Sequence, residues 1–155
     1  MPVIRLVTKI NAPIERCFDV ARSIDVHARA ASKTKERAVA GVTRGLIGPG
    51  ETVTWEAVHF GIRQRLTTQI TKYKYPHLFV DEMVKGVFHS FTHVHKFQSA
   101  PGGTLMLDEF DYTSPLGPLG RLADKLFLRR YMRSFLQERA AYLKQVAEGP
   151  NPRDG

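Results

Sequence analysis

Between Arg37 and Ser114 apolar and polar residues alternate with period two. Turn formers cut this alternation at Gly45, Gly48-Pro49-Gly50, Gly61, Tyr75-Pro76, Gly86 and Pro101-Gly102-Gly103. Nothing constrains the chain more. A parallel strand pair needs a crossover of a dozen or more residues, and no segment here is followed by a helix of that length. The stretch therefore reads as six strands, at about 36–43, 51–60, 62–74, 78–85, 88–98 and 104–113, joined by sequential hairpins into an antiparallel meander.

The flanks complete the architecture. In residues 3–10 Ile4, Leu6 and Ile10 share one face and Arg5 and Lys9 the other, which is strand chemistry. Pro13 suits the first position of a helix through Ile14, Cys17, Phe18 and Ala21, and a second short helix is expected from about Ser23 to Ala31. After Ser114-Pro-Leu-Gly-Pro-Leu-Gly120 a long amphipathic helix is expected to about Glu148. Leu119, Leu122, Leu126, Phe127, Tyr131, Phe135, Leu143 and Val146 form its apolar stripe, and Arg121, Lys125 and Arg133 face water. Leu126 and Phe127 are expected to be core residues. The result is an α+β chain: a seven-stranded antiparallel sheet, two short helices and a long C-terminal helix. Residues 1–148 are read as one domain and 149–155 as a flexible tail.

Composition narrows the function classes. The single cysteine, Cys17, excludes an intrachain disulfide framework and a cysteine-based zinc cluster. No apolar run reaches the ~20 residues of a membrane span and no signal-peptide pattern opens the chain, so a cytoplasmic location is expected. The net charge of +8 favours polyanions, yet it is spread along the chain, with one local cluster at Arg121, Lys125, Arg129, Arg130 and Arg133. Nucleic acid is not expected as a partner, and a homodimer is compatible with the sequence. Phosphate-binding loops, dinucleotide fingerprints and the Gly-x-Ser-x-Gly elbow are absent from the sequence.

Parity sorts the strand at 88–98. His89, Phe91, His93, His95 and Phe97 share one face, and the opposite face carries Phe88, Ser90, Thr92, Val94, Lys96 and Gln98. The aromatic and histidine face is expected to point inward. Two histidines at i and i+2 lie about 7 Å apart at Cα, a separation compatible with a shared metal. A third ligand, such as Asp81, Asp108 or His59, is not fixed by the sequence, and neither a metal nor a cofactor is expected.

Strand, two short helices, six-stranded meander and terminal helix, in that order, resemble the START and polyketide-cyclase (SRPBCC) superfamily. Asn11-Ala-Pro-Ile-Glu-Arg-Cys-Phe-Asp-Val20 is similar to the family's opening, in which an aromatic anchors the first helix to the sheet. Tyr75 to Gly86, Phe88, His93-Val-His-Lys-Phe97, Gly102 to Tyr112 and Pro115 to Gly120 resemble its bacterial cyclase- and dehydrase-like members.

The resemblance implies a helix-grip fold, in which the curved sheet wraps the long helix around a cavity for a hydrophobic small molecule such as a lipid, a polyketide-like aromatic or a quinone. It also implies that Asp81 and Met83, with Phe79 on the same face, and Asp108, Phe110 and Tyr112 face that cavity. For Asp108 an exposed carboxylate paired with Arg or Lys is an equal alternative. Ligand-binding candidates are therefore Trp55, Phe79, Met83, Phe91, Phe97, Asp108, Phe110 and Tyr112.

Binding is the leading reading. In a second, a cyclase or dehydratase uses His93 or His95 as general base, with Asp81 hydrogen-bonded to His93 to fix its tautomer. In a third, the basic helix makes the chain an RNA-, ribosome- or membrane-associated interaction module. Gly45–Gly50 is expected to be either a lid at the cavity mouth or an ordinary turn.

Overall fold

The structure, a computed structural model, describes residues 3–150, so the expected tail lies largely outside the described residues. Strand β1 (Val3–Ile10) is followed by helices α1 (Ile14–Ala21) and α2 (Ile24–Ala30). The meander comprises β2 (Arg37–Gly41), β3 (Thr52–His59), β4 (Ile62–Lys74), β5 (Leu78–Lys85), β6 (Ser90–Ala100) and β7 (Gly103–Thr113). Every neighbouring pair is antiparallel and the order is β1-β7-β6-β5-β4-β3-β2, so β1 adds to the far edge of an uninterrupted meander.

The turns show why the sequence takes this path. His59 pairs with Ile62 across Phe60-Gly61, whose positive φ angles of 53° and 75° form the two-residue connection that matches strand twist. Irregular register at Ala38/Ala40, Thr67/Thr68 and Ile70/Lys72 marks bulges, the usual device for bending a sheet.

Phe18 anchors α1 as expected. It is fully buried and meets Tyr73, Phe79 and Phe97 with ring centroids 5.2–5.4 Å apart. Arg16 ties the same helix to the far end of the chain by donating to the carbonyls of Ala147 (2.6 Å) and Val146 (3.0 Å) in its last turn, where backbone carbonyls run short of helical donors. The Gly45–Gly50 segment is pinned to these helices. Ile24 N–H donates to Gly45 O, Ile47 N–H to Arg22 O, and buried Ile47 fills the space beneath.

The terminal helix corrects the expected stripe. It runs as α3 (Gly117–Ala123), a π turn (Asp124–Leu128) and α4 (Arg129–Glu148). Its inward line is Gly120, Asp124, Leu128, Met132, Leu136 and Ala140, then Leu143 and Ala147. Four-residue spacing overshoots an α-helical turn of 3.6 residues, and the wider π turn takes up part of the excess. The side chains expected inside are thereby turned out: Leu119, Leu122, Leu126 and Phe127 are 70%, 55%, 66% and 51% exposed. Gly120 is required where the helix crosses the preceding loop, since a Cβ there would lie 1.7 Å from Pro115 O. Among the described residues no helix is long and apolar enough to cross a membrane.

Candidate functional site

Between sheet and helix lies a cavity of about 270 Å³. Its walls carry Trp55, Phe79, Phe91 and Phe110 from the sheet, Leu128, Met132 and Leu136 from the helix, and Ile24 and Ile47 from the α1–α2 side. Exposed Phe60 and Val87 also belong to the lining, so the cavity reaches the surface beside the β3–β4 hairpin.

Strand β6 turns Phe91, His93, His95 and Phe97 inward, all buried. His89 departs from the expected set: it precedes the strand and is exposed. Cross-strand register then decides which carboxylate meets which imidazole. Asp81 lies opposite His93, but its side chain reaches the diagonal neighbour instead: Asp81 Oδ2 is 2.8 Å from Nε2 of His95. His93, opposite Phe110, bonds diagonally through Nε2 to Asp108 Oδ1 at 2.9 Å. The expected Asp81–His93 pair is thus replaced by two crossed pairs, because same-face residues one step along a neighbouring strand remain within reach of long side chains. Asp108 is buried, not a surface carboxylate. Its Oδ1 also lies 3.4 Å from Nδ1 of His95, outside hydrogen-bonding geometry, where it acts as a nearby charge.

The two imidazoles stack at 3.8 Å between centroids, so charging both is disfavoured. Burial, then the neighbouring His95, lowers His93 to about 4 despite Asp108. For His95 burial opposes the charge, but Asp108 and Asp81 outweigh it and the pKa is raised. Burial pushes the Asp81 carboxyl up, yet its bond to His95 and the charges of both histidines bring it down to about 2. Burial likewise opposes ionisation of Asp108, and its contacts with His93 and His95 hold it well below the usual carboxylate range. At neutral pH His93 is neutral: it donates Nε2–H to Asp108 and keeps Nδ1 as an acceptor. Asp81, His93 and His95 also bring three potential metal-ligand atoms within 4.8 Å of one another. A metal there would have to displace the His95–Asp81 bond.

The expected residues therefore divide. Asp81, His93, Trp55, Phe79, Phe91 and Phe110 line the cavity; His95, Asp108, Phe97, Tyr112 and Met83 stand behind it. Tyr112 is buried and its hydroxyl bonds Asp124 of the π turn, holding sheet to helix.

A second polar group on the cavity wall escaped sequence reasoning, apart from His59. His27 stacks on Trp55 at 4.2 Å and its Nε2 lies 2.6 Å from Glu36. Burial, then Arg139, lowers the His27 pKa, and Glu36 is ionised beside it because His27 and Arg139 outweigh its desolvation. His59 Nδ1 meets Tyr131 Oη at 2.6 Å, and Arg139 projects from α4 into the same lining. These residues come from separate segments of the chain, and no spacing in the sequence links them.

Residues 1–148 match the family model described as polyketide cyclase / dehydrase and lipid transport, and the chain belongs to that family. No curated protein matches it in sequence. Among solved structures it resembles TTHA0849 from Thermus thermophilus, with a TM-score of 0.76, 19% identity, and 93% and 95% of the two chains covered. The di-domain ARO/CYC StfQ of the steffimycin biosynthetic pathway matches over 94% of this chain and 50% of its own, with a TM-score of 0.74 and 13% identity. The ginseng major latex-like protein 151 from Panax ginseng gives 0.64 at 13% identity, covering 94% and 97%. At these identities the likeness concerns the helix-grip fold. Fold and family together support a hydrophobic-ligand-binding fold.

Proposed function

We propose that this is a cytoplasmic binding protein whose cavity holds an apolar small molecule bearing one polar oxygen, of the lipid, aromatic polyketide or quinone type. The observation that carries this reading is a largely aromatic and aliphatic cavity whose wall presents two separate polar groups, Asp81 with His93 of the buried histidine–aspartate network, and His27 with Glu36, His59 and Arg139. Apolar walls supply affinity, and a few fixed polar groups supply orientation. Neutral His93, its Nε2–H given to Asp108, would accept through Nδ1 from a hydroxyl of the ligand, with Asp108 fixing the tautomer.

A second reading, proton transfer by His93 in a cyclase or dehydratase, draws on the same ring. An effective general base titrates near the working pH, whereas His93 is held at about 4 and the more basic His95 is not on the wall. Binding is favoured for that reason.

Titration with an apolar fluorescent probe such as N-phenyl-1-naphthylamine tests it. One-to-one uptake is expected, lost when buried wall residue Ala57 is enlarged in Ala57→Phe while the circular dichroism spectrum is unchanged. His93→Phe should keep probe affinity and lose discrimination between a hydroxylated aromatic such as 1-naphthol and the corresponding hydrocarbon. Uptake that Ala57→Phe does not weaken would place the probe elsewhere and overturn the reading.

A further inference from the structure

The turned-out face of the terminal helix meets the hairpin beside the cavity mouth. Phe60 packs on Phe127 at 5.9 Å and on Tyr131 at 4.7 Å between centroids, so hairpin tip and helix form one surface. On it Phe60, Leu122, Leu126 and Phe127 are 51–66% exposed, flanked by Ile62 at 62% and Leu119 at 70%.

This surface is held at a conformational cost. Phe60 has φ 53° and Leu116, 78% exposed at the start of α3, has φ 67°. Bulky side chains rarely adopt the left-handed region, where Gly or Asn is the ordinary choice, and such strain gathers at functional surfaces.

Charge identifies the occupant. From Leu116 to Arg133 the chain carries five Lys or Arg residues against one acid, Asp124, which is buried and bonded to Tyr112 and Arg129. Arg63 and Arg65 on β4 are exposed but pair with Glu56, so the free positive charge of the surface comes from the helix. A two-fold pairing of this face with a second copy would set like charges against each other. RNA would satisfy the cations but would leave the leucines exposed, since bases stack on aromatic or guanidinium planes. A bilayer with anionic headgroups satisfies both, taking the apolar side chains into the acyl boundary and the cations to the phosphates.

We infer that the surface formed by the β3–β4 hairpin tip and the α3–π-turn segment docks on an anionic membrane, with the cavity mouth facing the lipid. Docking itself does not depend on what the cavity holds.

Vesicle flotation tests it, comparing pure phosphatidylcholine with an equal mixture of phosphatidylcholine and phosphatidylglycerol. Binding is expected to the mixture alone and to weaken as sodium chloride is raised. The triple variant Leu122→Gln, Leu126→Gln, Phe127→Gln should bind at least about tenfold more weakly, as should Arg121→Gln, Lys125→Gln, Arg130→Gln.

Phe60→Asn separates docking from folding, because Asn tolerates the left-handed turn. Its denaturation midpoint should hold or rise while vesicle binding falls. The proposal is overturned if the native chain fails to float with the anionic vesicles, or if the leucine-to-glutamine variant floats as well as the native chain. It is also overturned if the face proves buried in a dimer that those substitutions dissociate in sedimentation.

Discussion

His93 shows how one side chain can carry both a functional and a stability signature. Its pKa falls from 6.5 to about 4 in the folded state, so below pH 6.5 the unfolded chain binds a proton that the folded chain refuses. Its contribution is complete above pH 6.5 and is lost as pH falls toward 4, by about 3 kcal/mol at roughly 1.4 kcal/mol per unit. His27 and His59 are shifted in the same direction and add to the slope, while His95, raised, opposes it with stabilisation that is present below pH 6.5 and lost as pH rises. Asp81 acts in a lower window: its stabilisation is present above about 4 and lost toward 2. Urea denaturation at pH 7 and pH 4.5 should therefore show a marked loss for the native chain and a smaller one for His93→Gln. An equal loss in both would remove His93 from the account. Residue reasoning found the histidines because a strand has only two faces; it mispaired them because register across three strands is not written in any one of them.

At the scale of elements, the sheet was legible and the terminal helix half legible. Six period-two segments between turn formers could close only as hairpins, and the strands fall within a few residues of expectation, β6 lying two residues later than read. The helix was misjudged between Leu119 and Phe127 because periodicity assumes 3.6 residues per turn throughout. A π turn re-aims every residue before it, and Asp124, its buried carboxyl, is the kind of residue an apolar-stripe search discards.

The packing consequence is measurable by chemical denaturation. Leu136→Ala and Leu143→Ala, at buried positions on α4, should each cost about 2–5 kcal/mol. Leu126→Ala and Phe127→Ala should stay within about 0.5 kcal/mol, as exposed substitutions do. The reverse order would mean that the apolar stripe of the sequence, and not the π-turned line, grips the sheet.

For the whole molecule, the family and the cavity follow from the fold, but the second polar group of His27, Glu36, His59, Tyr131 and Arg139 does not. These residues meet only because α2, the approach to β2, the end of β3 and the middle of α4 converge on one wall, and convergence of segments so far apart in the chain leaves no local trace. The cavity these segments enclose is proposed to hold an apolar ligand. Native mass spectrometry of the chain purified from its own source tests it most directly, with denatured spectra as the reference. The expected native mass exceeds the chain mass by one small organic molecule, which is released on unfolding and absent from Ala57→Phe. A native mass equal to the chain mass, in protein that also refuses a panel of lipids, aromatic polyketides and quinones at one-to-one stoichiometry, would contradict it.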